Sequence, residues 1–291
     1  MLFRSVDVQG GAVVGAAITV KNDKTGKERS VVTDKNGEFL ITALEPSIYT
    51  ITAAAANFQN AVHNNLELLV GQQSSVTLTL HPTRVAVQLD VVANDDAVVN
   101  TTSASLSANV SGREVEGLPI NGRQLSQLYL QAPGAQNAGT GTFGDIRFSG
   151  RANQQNVIRY DGVEGTAIID SSPGNLNGEV PSPFRLQSSL ENVQEFRVES
   201  SNFPAEFGTG TGGQISVVTK SGGNGFHGSL FEYIRRDRFD ASNFFDNTVA
   251  GVGKSPLQLD QFGGSLGGPI IKNKLFFFGS YEQYRGRFGL N

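Results

Sequence analysis

The stretch that most constrains this chain runs over residues 193–228, VQEFRVESSNFPAEFGTGTGGQISVVTKSGGNGFHG. It holds two β-type runs, 195–200 and 214–220, joined by a Phe/Pro/Gly connector that carries Gly208, Gly210, Gly212 and Gly213. After Lys220 comes Ser-Gly-Gly-Asn-Gly, at which any preceding element has to stop. What lies before it reads as a water-soluble β-rich protein. What lies after it is richer in aromatics, because 10 of the 19 Phe and 3 of the 6 Tyr fall in residues 223–291. The stretch is therefore a junction between two environments.

Composition removes several function classes. Lys and Arg number 23 against 27 Asp and Glu, a net charge of −4 with no basic run, which speaks against nucleic acid as a partner. The chain has no Cys, so disulfides, thiolate metal sites and a Cys nucleophile are excluded. Its 35 Gly and 17% charged residues suit a β-rich extracytoplasmic protein. The N-terminus, MLFRSVDVQGGAVVG, lacks the apolar core of a signal peptide. No segment approaches the roughly 18 apolar residues of a transmembrane helix. On these two features alone the chain reads as a cytosolic soluble protein.

Residues 5–82 read as a small β-sandwich. The runs 16–22, 29–33, 39–43, 48–54 and 74–80 are short, β-branched and separated by turn residues, a spacing that suits about seven strands. Thr33-Asp34-Lys35-Asn36-Gly37 is a turn. An EF-hand starting at Asp34 would need Gly where Phe39 stands, although Glu45 fits its twelfth position, so the β-turn is preferred.

Residues 83–222 read as a mixed α/β unit. A β-type run, VAVQLDVVA, occupies 85–93, and a short amphipathic helix is expected over 122–131 from Leu125, Leu128 and Tyr129, with Pro133-Gly134 as its stop. Strands are expected at 143–150 and 156–163, the second ending in Asp161-Gly162. Residues 208–213 satisfy G-x-G-x-x-G, but a strand follows where a dinucleotide site requires a helix, so the glycines read as a tight turn. Lys220-Ser221 lacks the Gly that a phosphate loop places before its Lys, and His63, His81 and His227 have no metal-ligand spacing. Glu195 and Glu199 fall on one face of a strand, more than about 10 Å apart, and read as a solvated face and not as an acid–base pair. Nothing in the chain supports catalysis or a cofactor.

Residues 223–291 read as three strands of about ten residues, 226–236, 257–267 and 275–284, the length that crosses a bilayer at a tilt. A short turn, 268–274, joins the last two, and the long polar stretch 237–256 joins the first two. Leu230-Phe231 and Phe276-Phe277-Phe278 place apolar groups on both faces. Trp is absent, leaving Phe231, Tyr233, Tyr281 and Tyr284 to form an interfacial girdle. Three strands cannot close a barrel, and an open edge in lipid leaves backbone groups unpaired at several kcal/mol each.

Several motifs, in order along the chain, carry a family resemblance. Thr33, Asp34, Gly37 and Phe39, followed by Leu44, Pro46, Tyr49 and Ile51, resemble the carboxypeptidase-regulatory-like sandwich, with Ser47 where that family usually has Gly. EVEGLPINGRQLSQLYLQAPG, with Leu118, Pro119, Asn121, Gly122 and Arg123, is similar to the plug of Oar-like TonB-dependent outer-membrane receptors. So is IRFSGRANQQNVIRYDGVEG, with Gly150, Arg151, Asn156, Asp161 and Gly162. Phe207, Gly208, Gly213, Lys220, Gly222, His227 and Gly228 resemble the plug-to-barrel junction, and GSLGGPIIKNKLFFFGSYEQYRG the first barrel hairpin.

The resemblance implies a mainly β fold with a small α content. A transthyretin-like, carboxypeptidase-regulatory-like β-sandwich (5–82) is followed by a mixed α/β plug domain (83–222) and the first three strands of a transmembrane β-barrel (223–291). It further implies the outer membrane of a Gram-negative bacterium, N-terminal domains in the periplasm or inside the barrel, and a chain that is a fragment missing its start. The function implied is energised uptake of a large or scarce solute, which could be a carbohydrate, peptide or metal chelate. The implied partners are outer-membrane lipid and the TonB–ExbB–ExbD complex, TonB adding a strand to a short segment ahead of the plug. The candidate for that segment is Val85, Val87, Leu89 and Val91, and residues 170–183 are the candidate exposed plug loop. The competing reading is a secreted or surface-attached β-rich adhesin that binds carbohydrate without transport.

Overall fold

A computed structural model describes residues 2–71, 74–83, 105–118, 120, 123, 125–137, 146–165, 189–208, 210–241 and 256–288. They form a mainly β molecule with two short α-helices. Among these residues no helix is long and apolar enough to cross a membrane, which says nothing of strands.

Seven strands make the first unit. β1 (Leu2–Asp7) lies between β4 (Glu38–Leu40) and β7 (Thr77–Leu80), antiparallel to the first and parallel to the second. The facing sheet runs in the order β3 (Glu28–Val32), β2 (Ala17–Asn22), β5 (Ser47–Ala54), β6 (Ala61–Leu68), all antiparallel. Alternation drives the packing: Ile18 and Val20 of β2 and Tyr49, Ile51 and Ala53 of β5 point into a core shared with Phe39, Leu78 and Leu80. The sequence pattern did not single out β1 or β6. β6, AVHNNLEL, alternates polar and apolar groups weakly because it is an edge strand. At the turn after Thr33, Asp34 Oδ1 accepts the backbone N–H of Asn36 and Glu38, both at 2.8 Å, and Gly37 takes φ +72°, so the motif is a β-turn as expected.

The central unit is a five-stranded sheet. Its order is β12 (Val163–Glu164), β11 (Val157–Tyr160), β14 (Gln214–Thr219), β13 (Val193–Ser201), β8 (Leu106–Val110), with β11 parallel to β14 and the other pairs antiparallel. α1 (Gly112–Gly117), α2 (Ser126–Tyr129) and a small ladder of β9 (Ala135–Asn137) and β10 (Ile146–Phe148) complete it. The core joins Ile158, Phe196, Val198, Ile215 and Val217 of the sheet to Val115, Leu128, Tyr129, Ile146 and Phe148. Tyr129 meets Phe196 edge to face at 5.3 Å.

The helix expected over 122–131 is shorter, covering Ser126–Tyr129, and a second helix, α1, precedes it. A single turn was legible from Leu125, Leu128 and Tyr129, but α1 depends on its start. Glu114 reaches back to the Ser111 N–H at 2.8 Å, a capping box that satisfies a donor the helix leaves open. The two strands expected at 143–150 and 156–163 are β10 and β11.

The last unit is an antiparallel sheet of β15 (His227–Arg236), β16 (Leu257–Ile271) and β17 (Leu275–Phe288). β16 and β17 exceed the ten residues expected. The turn read at 268–274 shrinks to three residues because β16 continues through Gly268 and Pro269 to Ile271. A register shift between Pro269 and Ile271 makes room for the proline, which cannot donate to a ladder. The sheet is open, with no closed barrel among the described residues.

Candidate functional site

Two-residue periodicity divides β15–β17 into faces. Leu230, Ile234, Leu266 and Tyr281 are exposed on one face. Ser229, Phe231, Tyr233, Gln261, Ser280 and Glu282 turn toward the central unit. Against that inner face sits a one-turn 3-10 helix, Leu190–Asn192, entered by Ser189 and leading straight into β13. Each of its polar residues holds one hairpin strand: Ser189 donates to Glu282, Ser229 donates to Glu191 at 2.8 Å, and Ser280 donates to Asn192. Gln261 also donates to Glu282, and the Ser229 and Ser265 hydroxyls meet at 2.9 Å.

Arg123 is the strongest single tie across this seam. Its backbone takes φ +56°, the left-handed region, and its guanidinium pairs with Glu191 at 2.7 Å. The same guanidinium lies 4.6 Å from the Phe231 ring centroid and 4.4 Å from that of Tyr233. Its buried Nε has no hydrogen-bond partner among the described residues, and the two ring faces supply the compensating negative potential. An Arg suits this place because one planar cation can serve a carboxylate at its edge and aromatics on its faces.

The other motif residues brace the central unit. Asn156, almost fully buried, donates to the Ile146 carbonyl at 2.8 Å and accepts the Gly213 N–H at 2.9 Å, tying β10 to the strand after the connector. Asp161, at the left-handed turn it forms with Gly162, accepts the Thr219 N–H at 2.9 Å and the Thr219 hydroxyl at 2.7 Å. Arg151, beside Gly150, donates to the Thr211 carbonyl at 2.5 Å. Phe207 receives Arg159 on its ring at 5.3 Å, and Gly208 follows at φ +64°. Gly213 is required by space, since a Cβ there would sit 2.3 Å from the Phe148 ring. Lys220 pairs with Glu116 at 2.8 Å, Gly222 passes against Phe277, His227 stacks on Phe278 at 6.4 Å, and Gly228 lies against the Ser265 carbonyl. Leu118 closes α1 and packs partly buried on the core. Pro119, Asn121, Gly122, Val85, Val87, Leu89 and Val91 lie outside the described residues, as does the loop 170–183.

One expectation is overturned. Glu195 and Glu199 are not on a solvated face: they are 6% and 5% exposed, with Arg197 between them at 7%. The sequence showed a polar strand face but not what covers it. Val70 and Gly71 of the first unit lie across it, the Val70 N–H reaching Glu195 Oε1 at 2.6 Å and Gly71 packing on the Arg197 side chain. Arg197 compensates by pairing with Glu199 at 3.0 Å. Burial, with repulsion from Glu67, pushes the Glu195 carboxyl up to about 7 against the pull of the Val70 N–H. Burial also pulls the Lys24 ammonium down, and Lys220 adds to it.

Ser189, Glu191, Asn192 and Glu282 were not singled out from sequence. The signal for Ser189, Glu191 and Asn192 is a cluster of polar residues ahead of a strand and that for Glu282 a polar position within one, and their role depends on which faces meet. No group of three His, Cys, Asp or Glu able to hold a metal ion exists among the described residues. The arrangement fixes bodies relative to one another by polar bonds.

Comparison with known proteins agrees with this division. The family described as "Carboxypeptidase regulatory-like domain" matches residues 6–81, and the family described as "Outer membrane beta barrel domain" matches residues 218–290. The TonB-dependent transporter Oar of Myxococcus xanthus is 27% identical over 275 residues, covering 91% of this chain and 24% of that protein. This chain thus spans about a quarter of the length of the curated relative it matches. Among solved structures, the siderophore receptor PirA from Acinetobacter baumannii superposes with a TM-score of 0.42 at 20% identity, over 61% of this chain and 24% of that one. A mutant ferric enterobactin receptor PfeA from Pseudomonas aeruginosa, in complex with enterobactin, gives 0.41 at 18%, over 57% and 23%. Both superpositions are loose.

Proposed function

We propose, for a chain homologous to an outer-membrane TonB-dependent transporter and carrying a carboxypeptidase-regulatory-like domain and an outer-membrane β-barrel segment, that it is the N-terminal part of a plugged-barrel receptor. The residue boundaries of the three parts are 5–82 for the sandwich, 83–222 for the plug and 223–291 for the start of the barrel. The whole protein takes up a large or scarce solute through the barrel, by movement of the plug and without chemistry on the solute. The relatives named above are transporters and receptors, not enzymes.

The observation that carries this reading is the polar seam. A compact unit with its own apolar core is seated by Arg123, Ser189, Glu191 and Asn192 on one face of antiparallel hairpins whose other face exposes Leu230, Ile234 and Leu266. A plug has to be held and yet be movable, and hydrogen bonds that water can replace meet both needs.

Energy comes from the TonB–ExbB–ExbD complex, because the outer membrane holds no ATP. TonB pairs with the run containing Val85, Val87, Leu89 and Val91, which precedes β8 and has the β-character that strand addition needs. The solute is a metal chelate, the class to which the ligands named for PirA and PfeA belong, with carbohydrate or peptide as alternatives.

The test uses the complete protein in a Gram-negative host. Single cysteines at Val85, Val87, Leu89 and Val91 should each form a disulfide with a cysteine-bearing TonB, and the protein should fractionate with the outer membrane. Outer-membrane protein that forms no TonB adduct at any of the four positions would leave the coupling segment wrongly placed. Recovery as a secreted soluble protein would favour the adhesin.

A further inference from the structure

One end of the sandwich grips two different bodies. Between β2 and β3 the chain turns at residues 23–27, and Asn22 builds that turn: its Oδ1 accepts the N–H of Lys24 at 2.9 Å and of Thr25 at 3.0 Å. The Lys24 carbonyl accepts the Asn224 N–H at 2.9 Å, where the chain enters β15. Gly26 lies so close to Asn273, at the β16–β17 turn, that a Cβ on it would overlap the Asn273 amide. Asn224 and Asn273 are themselves bonded twice, at 2.8 Å each, so the sandwich touches a braced rim.

The second grip is on the central sheet. The Val70 N–H bonds Glu195, Gly71 covers Arg197, and the Pro46 carbonyl accepts Gln194 Nε2 at 3.4 Å. Lys24 Nζ donates to Gln194 Oε1 at 3.5 Å, so one residue serves both grips. A cleft of about 530 Å³, lined in part by Lys24, Arg123, Gln194, Lys220 and Tyr233, separates this attachment from the Arg123 seam. The central unit is therefore tied to the hairpins twice, once directly and once through the sandwich.

We propose that the N-terminal sandwich is a clamp, fastening the central sheet to the rim of the hairpins and restraining the motion of the plug. Its consequence for transport rests on the plugged-barrel reading; the clamp itself rests only on the contacts. The grips consist mainly of single polar bonds to backbone groups, which water can replace. The sandwich keeps its own closed core, so it leaves as a rigid body without unfolding.

Because the chain has no Cys, introduced pairs are unique within it. In the complete protein, K24C with G223C places two thiols where a Cβ on Gly223 would lie 2.8 Å from Lys24 Cγ. N224C with N273C serves as the control inside the rim. Both pairs should oxidise to similar extents. Hydrogen exchange at the β13 and β14 amides should then be several-fold slower in oxidised K24C/G223C than in the same protein reduced. A bridged control with an unbridged K24C/G223C would overturn the docking. A bridged K24C/G223C with unchanged exchange would overturn the restraint. Neither readout involves solute or TonB, so a failure here is distinct from a failure of the transport reading.

Discussion

The core of the sandwich and the seam between the central unit and the hairpins are built from opposite materials. In the sandwich, Ile18, Ile51, Ala53 and Leu80 are wholly buried within one apolar cluster. Across the seam, the contacts are Arg123 with the Phe231 and Tyr233 rings, Ser229 with Glu191, Ser189 with Glu282 and Ser280 with Asn192. Separating the first would expose apolar surface at about 25 cal/mol per Å² with no compensation. Separating the second exchanges protein partners for water, at a net cost of about 1 kcal/mol per bond. The difference teaches that the apolar cores define which bodies exist, while the polar seams define where those bodies rest and leave them separable.

The largest effect should come from attacking a core. Phe196→Ala empties the centre of the central unit and removes the partner of Tyr129, and should cost about 3–5 kcal/mol. Denaturant titration read by proteolysis of β13 should show it, while the sandwich melts unchanged. A comparable loss in the sandwich would mean that the two cores are one cooperative unit.

Arg123→Ala strikes the seam. It removes an ion pair and two ring contacts and leaves Glu191 with Ser229 alone, and should weaken the attachment of β15 by about 2–3 kcal/mol. Protease sensitivity at residues 227–236 should rise with no change in the unfolding of the central core. Arg123→Lys should recover only part, since a point charge cannot serve the carboxylate and both rings together.

Glu195 gives the contact between sandwich and central sheet a pH dependence. Its folded carboxyl titrates at about 7, above its ordinary value of 4.5. The folded state therefore holds a proton that the unfolded state has released, and this contribution is full below about 4.5 and lost as pH rises through about 7. Stability of the docked state should accordingly fall between those limits, and Glu195→Gln should flatten the slope. A wild-type profile that rises over the same interval would contradict the burial of this group. The smallest change expected is Ser229→Ala, below about 1 kcal/mol, because Glu191 keeps Arg123; hydrogen exchange in β15 is sensitive enough to register it.

Much of the fold was legible because local chemistry dictates it. Asp34 and Gly37 form the turn that Asx chemistry and positive φ require, and the glycines at 208–213 lead into a strand, as the β-branched run 215–219 demanded. α1 was missed because a six-residue helix rests on one reciprocal cap and too few apolar positions to show a period. The Gly268-Pro269 step was read as the start of a turn because those residues usually end strands; a bulge in a long hairpin absorbs it instead. Glu195 and Glu199 were read as solvated for a related reason, since a polar strand face looks the same whether water or another domain covers it.

Sequence by itself determined most of the strands, the tight turns and the division into two β-rich units and an aromatic-rich end. Each of these follows from periodicity or backbone preference within a few neighbouring residues. Only the tertiary structure decided that Arg123 would lie between Glu191 and two rings of β15, and that Lys24, Val70 and Gly71 would close over β13 and the hairpin rim. Those contacts join residues up to about two hundred positions apart, and their partners are chosen by which faces the packed bodies bring together, not by any local pattern.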